Sequence, residues 1–180
     1  MKVTSTNFSG LKIVQSKIYR DNRGLLKEVF KQKIFKNDDF IFNIVSSSKK
    51  NVVRGFHIQT KFKQAKYVSV LKGAILDVAL DLRKRSKTFG KHFKVMLSAD
   101  NNKSVFLPAG FAHGFLALKK ENIVNYNISN YRSAKHEVSL VWNDKDLKIK
   151  WPVKYPIISK KDKKNLKFAE FKNYFKWKKL

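Results

Sequence analysis

The sequence predicts an all-β fold, a sandwich or barrel of short antiparallel strands, and three observations lead there. Residues 74–82 alternate cleanly: Leu76, Val78, Leu80 and Leu82 point one way, while Ile75, Asp77, Ala79 and Asp81 point the other. Similar short segments recur, separated by polar or glycine-bearing breaks. Helical signals sit only at the edges of the pattern.

Taken in order, residues 31–39 suit a short helix. A strand over 67–71 is followed by Lys72-Gly73, a turn into the strand over 74–82. The second face of that strand carries Asp77 and Asp81, directed either to solvent or into a polar barrel interior. Further strands are expected over 93–97, 104–107, 114–118, 122–128 and 138–142. After Pro156, Ser159 suits a helix N-cap, and Asp162 lies three residues on, where a carboxylate favours the positive helix end. The tail over 163–177 then places Leu166, Phe168, Phe171, Tyr174 and Phe175 at mostly helical spacing. No repeat or low-complexity tract interrupts the chain, so one domain over 1–180 is expected.

Composition narrows the function classes. A chain of 180 residues, 43% hydrophobic and 13% aromatic, is long and apolar enough for a substantial core. It has no cysteine, which excludes disulfides, thiolate chemistry and cysteine-type zinc sites. The polar start lacks the apolar core of a secretory signal, and no apolar run approaches the roughly 18 residues of a membrane span. A cytoplasmic protein without membrane contact is expected. The net charge of +27 attracts polyanions, but it comes almost wholly from scattered lysines. Nucleic-acid readers concentrate arginine and exposed aromatics on one element, so no dedicated nucleic-acid site is expected. A phosphate-bearing small substrate gains from the same field.

The chemistry must come from few residues. Of four histidines, His57 lies in Val53-Arg54-Gly55-Phe56-His57-Ile58-Gln59, and His113 ends the turn Pro108-Ala109-Gly110-Phe111-Ala112-His113. That Pro-x-Gly-x-x-His spacing resembles the second motif of the cupin superfamily. A metal-binding cupin would add a His-x-His pair and a glutamate in its first motif. Gln59 stands where the second His would be, and no glutamate follows at the right distance, so neither a metal nor a cofactor is expected. A lone imidazole suits removal of a proton next to a ketone, because it titrates near neutral pH. The enolate then needs a cation or donor at its oxygen. Inversion of the carbon also needs an acid on its opposite face, for which tyrosine is suited.

Consecutive blocks match one family. Asp21 with Arg23-Gly24, Glu28, Arg54 to His57, Gln64-Ala65-Lys66, and Asp77 to Lys84 come first. Ser86 to Gly90, Pro108 to Phe115, Trp142-Asn143-Asp144, Trp151-Pro152 and Ser159-x-x-Asp162 follow in family order. Together they resemble the dTDP-4-dehydrorhamnose 3,5-epimerase family. The resemblance implies a cupin-type double-stranded β-helix (a jelly-roll barrel) with short peripheral helices. It also implies epimerisation of a 4-keto-6-deoxy sugar nucleotide in deoxysugar biosynthesis. By position, His57 matches the base, Tyr126 the acid and Asp162 the carboxylate that orients the base. Lys66 and Arg54 match cations near the ketone and sugar. Arg23 and Glu28 match nucleotide-diphosphate contacts, typically donated across a homodimer interface by an exchanged N-terminal strand. His113 matches a histidine of the pocket wall. Asp77 reads as structural, though it is a rival partner for His57.

Some positions depart from the family. Its aromatics after Arg-Gly are Leu25 and Leu26 here, and its polar Gln-Asp-Asn-His run is Phe42-Asn43-Ile44-Val45. Tyr131 keeps the first tyrosine of a Tyr-Tyr pair, while Arg132 replaces the second and is a candidate substrate contact. The acid–base set is retained while the recognition shell changes. Two rival readings stand beside the epimerase: a 3,4-ketoisomerase on the same barrel, disfavoured by Gln59, and a non-catalytic polyanion- or sugar-binding cupin.

Overall fold

The computed structural model describes residues 1–35 and 38–177. Thirteen strands lie among them: β1 (Lys2–Ser5), β2 (Lys12–Gln15), β3 (Ile18–Asp21), β4 (Gly24–Lys27), β5 (Phe42–Lys49), β6 (Val53–Gln59) and β7 (Lys66–Lys72). They continue with β8 (Ala74–Asp81), β9 (His92–Ser98), β10 (Lys103–Leu107), β11 (Phe111–Ala117), β12 (Glu121–Ile128) and β13 (Glu137–Ser139). One α-helix, α1 (Phe168–Trp177), closes the series. Two antiparallel sheets stack face to face as a jelly roll. One has the order β1-β2-β10-β7-β12-β5 and the other β13-β6-β11-β8-β9, while β3 and β4 form a separate hairpin.

Alternation along each strand builds the layers. Val68 and Val70 of β7, Ile75 and Ala79 of β8, Phe111 and Phe115 of β11, and Val124 and Ile128 of β12 fill the space between the sheets. The other face of β8 sends Val78 and Leu80 outward, where they join Phe56, Leu140, Leu147, Phe168 and Phe171 in a second cluster. Both faces of this strand are therefore buried. Neither of its carboxylates reaches solvent: Asp77 and Asp81 are each 0% exposed. Outside the six-stranded sheet, Phe35, Tyr67 and Phe106 pack with Phe30 and Phe40 in a third cluster.

The helices differ from the sequence reading. Within 31–39 only a single 3-10 turn forms, Gln32–Ile34, and Lys36 and Asn37 lie outside the described residues. At the C-terminus the expected helix is divided. Ser159 Oγ does accept the Asp162 amide at 3.0 Å, but only the 3-10 turn Asp162–Lys164 follows. Asn165 then turns extended, because Leu166 is drawn into backbone pairing: its N–H donates to Ser139 and its carbonyl accepts from Val141. The α-helix starts afresh at Phe168, whose amide donates to Asp144 Oδ2 at 2.7 Å. Glu170 reaches back to the Lys167 amide at 2.7 Å, half of a capping box. The side chains of Tyr174 and Phe175 lie outside the described set. Among the described residues, no helix is long and apolar enough to cross a membrane.

Candidate active site

At one end of the sandwich the two inner faces diverge around a cavity of about 370 Å³. Arg54 and His57 enter it from β6, His113 from β11, Lys66 from β7 and Tyr126 from β12. Base and acid candidates thus sit on different sheets and face one space.

A local irregularity aims His57 into the cavity. His57 pairs with His113 and Arg54 with Phe115, so three residues of β6 span two of β11. This is a bulge, and it lets Arg54 and His57 share a face although they are three apart. Phe56, between them, turns into the outer cluster. The bulge depends on Gly55 at φ +111°, where a Cβ would lie 2.6 Å from both Gly114 Cα and His113 O.

The imidazole of His57 is held on both sides. Its Nε2 lies 3.2 Å from Asp162 Oδ1, and Nδ1 lies 2.8 Å from Ser139 Oγ. Burial pushes the Asp162 carboxyl up, but hydrogen bonds from His57, Ser159 and Asn165 outweigh it and hold the group below the usual carboxylate range. An ionised carboxylate only accepts, so Nε2 carries the hydrogen and Nδ1 keeps a lone pair that accepts from Ser139. Asp77 is no rival here: its Oδ2 lies 2.6 Å from His113 Nε2, a buried pair that anchors the pocket-wall histidine instead.

The other predicted groups line the same cavity. Burial pushes the Lys66 ammonium down to about 8, against the opposing pull of Glu137 and Asp77, and its Nζ lies 3.5 Å from the His57 carbonyl. Tyr126 is 8% exposed, and burial raises its phenol, which therefore stays protonated at neutral pH. Its hydroxyl lies 3.3 Å from Ser46 Oγ, and its ring meets His113 edge-on at 5.9 Å. Arg54 is braced by Ser48 Oγ at 3.0 Å and the Ser47 carbonyl at 3.1 Å. Phe42 and Ile44 supply an apolar wall.

Not every candidate meets at this cavity. Arg23 caps the β3–β4 hairpin with its side chain 86% exposed, paired to Asp21 at 2.6 Å. Glu28 pairs with Lys31 at 2.5 Å, also away from the cavity. Arg132 does line it, donating to Glu137 Oε2 at 2.8 Å. Sequence reasoning missed Glu137, Ser139 and Lys161. The available signal was the strand expected over 138–142: β13 pairs with β6 so that Ser139 stands opposite His57 and Glu137 opposite Gln59. Gln59, which breaks the cupin His-x-His pair, is structural, with its amide donating to the carbonyls of Phe62 and Tyr131. Among the described residues, no three His, Asp or Glu side chains are grouped to hold a metal ion.

Comparison with known proteins fits this architecture. Residues 5–170 match the family model described as dTDP-4-dehydrorhamnose 3,5-epimerase. An enzyme of that name from Shigella flexneri is 39% identical over 94% of this chain and 97% of its own. The Bacillus anthracis enzyme, solved with TDP and PPi bound, superposes with a TM-score of 0.88 at 40% identity, over 93% of this chain and 99% of its own. ChmJ, a 3'-monoepimerase from Streptomyces bikiniensis in complex with dTDP-quinovose, also gives 0.88, at 31% identity over 94% of this chain and 89% of its own. With near-complete coverage in both directions and a jelly roll that agrees throughout, the chain belongs to the dTDP-4-dehydrorhamnose 3,5-epimerase family.

Proposed function

We propose that this chain epimerises a dTDP-linked 4-keto-6-deoxy sugar, with His57 as base and Tyr126 as acid. The observation that carries the reading is their placement on opposing sheets around one cavity. His57, oriented by Asp162, removes the proton α to the C4 ketone. The C–H electron pair moves into the carbonyl, leaving an enolate oxygen that Lys66 and Arg54 stabilise. Tyr126 then donates its proton to the opposite face of the carbon, and the carbonyl re-forms. Each acid–base contribution is worth roughly a hundredfold to ten-thousandfold in rate.

A second copy of the chain completes the nucleotide end. Arg23 lies far from its own chain's cavity on a hairpin that also exposes Leu25 (52%) and Leu26 (72%). An exchanged hairpin would cover those leucines and deliver Arg23 and Glu28 to the partner's diphosphate.

Proton NMR in heavy water with dTDP-4-keto-6-deoxyglucose tests the reaction, following the C3 and C5 signals separately. We expect wild type to exchange protons at one or both carbons, and His57→Ala to lose at least a hundredfold in exchange rate. Tyr126→Phe should retain more exchange than net inversion. Wild-type exchange in His57→Ala would remove the imidazole from the reaction.

A further inference from the structure

Glu137 is the most constrained charge outside the set just assigned. It sits on β13 beside His57, with its side chain 13% exposed and its Oε1 3.7 Å from His57 Nδ1. Three segments meet on this one carboxylate. Arg132, from the segment after β12, donates through Nε at 2.8 Å and Nη2 at 3.4 Å, and Lys161 donates from the segment entering the Asp162 turn. Both cations are more than half exposed, so the carboxylate is the buried member of the cluster. Burial pushes its carboxyl up, but Arg132, Lys161 and His57 outweigh this and bring it to about 2. Glu137 is therefore ionised at any working pH.

We propose that Glu137 is a positioning residue for the base: with Asp162 on the other ring edge, it flanks the imidazolium that forms when His57 takes the substrate proton. This rests on the reading of His57 as base. On arrival of the proton Nδ1 becomes a donor, and the acceptors within reach are Ser139 Oγ and the Glu137 carboxylate. The ring charge then lies between two carboxylates on separate elements. Arg132 and Lys161 hold Glu137 in place while offsetting part of its field.

Other charges also face the ring or line its cavity. His113 is its register partner on β11, tied to Asp77, and Lys66 of β7 approaches its backbone carbonyl. Arg54 and Tyr126 line the shared cavity. Of these four, Lys66 also feels Glu137, whose charge opposes the burial that lowers its ammonium, so the His57 ring titration, rather than the rate alone, is the deciding readout.

The test is an NMR titration of the His57 ring protons in unliganded protein, with kinetics on dTDP-4-keto-6-deoxyglucose alongside. Glu137→Gln keeps an acceptor for Arg132 but loses the charge. It should move the ring titration to lower pH by about half a unit or more, and lower kcat about tenfold with KM changed less than threefold. The double variant Arg132→Met, Lys161→Met removes the opposing cations and should move the titration the other way. A merely structural tether would not produce shifts of opposite sign. An unmoved or upward titration in well-folded Glu137→Gln overturns the proposal, as does a downward shift in the double variant. If the shifts appear while wild type turns over no sugar nucleotide, the electrostatic coupling stands and the reaction assignment fails.

Discussion

In the proposed reaction Lys66 has to serve two opposed demands. The enolate oxygen needs a cation beside it, but burial in the cavity wall destabilises that cation and brings its titration to about 8. We therefore expect kcat to fall on the alkaline side with a midpoint near pH 8, and Lys66→Met to lose both that limb and most of the rate. Stability should run the other way. Between about pH 8 and 10.5 the unfolded chain still holds the proton that the folded chain has released, so stability rises with pH across that window. Rate measured from pH 6 to 10, against urea midpoints over the same range, checks both signs. His57 was singled out by its Arg-Gly-Phe-His stretch and Tyr126 by its position in the resemblance, and both line the one cavity. Glu137 and Ser139 were not singled out, because their roles arise from strand pairing with β6 and no motif encodes a pairing partner. Arg23 and Glu28 match a family pattern, yet one chain does not bring them to its own cavity.

The bulge of β6 belongs to the scale of the element. It requires glycine at 55, since φ +111° is disfavoured for other residues and a Cβ would strike β11 backbone at 2.6 Å. Gly55→Ala should cost at least about 1–3 kcal/mol, and it should disturb the aim of both Arg54 and His57. Thermal unfolding with exchange kinetics on the same sample checks this: stability and rate should fall together. The strands of the middle of the chain could be read because they alternate with strongly apolar side chains, as in β8. The first four could not. β1 through β4 are four residues each and mostly exposed, so little hydrophobic periodicity marks them. β5 hides for another reason: its Ser46-Ser47-Ser48 run reads as loop although all three residues pair with β12. The broken C-terminal helix shows tertiary pairing at Leu166 overriding a helical pattern.

At the scale of the whole molecule, the +27 charge and the stacked sheets have separate consequences. A diphosphate is drawn by a field that salt screens over about 8–10 Å. We expect kcat/KM to fall by about threefold or more between 50 and 500 mM salt, with kcat nearly constant; an unchanged kcat/KM would show that the lysine excess does not steer the substrate. Alternation and short breaks indicated an antiparallel sandwich or barrel, and the family resemblance narrowed it to a jelly roll, while the layers outside it were not legible. The aromatic cluster of Phe30, Phe35, Phe40 and Tyr67 over one sheet and the C-terminal cover over the other gather residues distant in sequence.

The two sheets act as the arms of a caliper. His57 rides on one arm and Tyr126 on the other, and the gap between them is set by the apolar side chains wedged farther along, among them Val70, Ile75 and Val124. A methyl group gained or lost at those wedges alters the opening at the tip without touching any reacting atom. Turnover by the proposed route thus has a hidden dial: interior packing, remote from the sugar, governs how far the phenol of Tyr126 stands from the carbon it must reach.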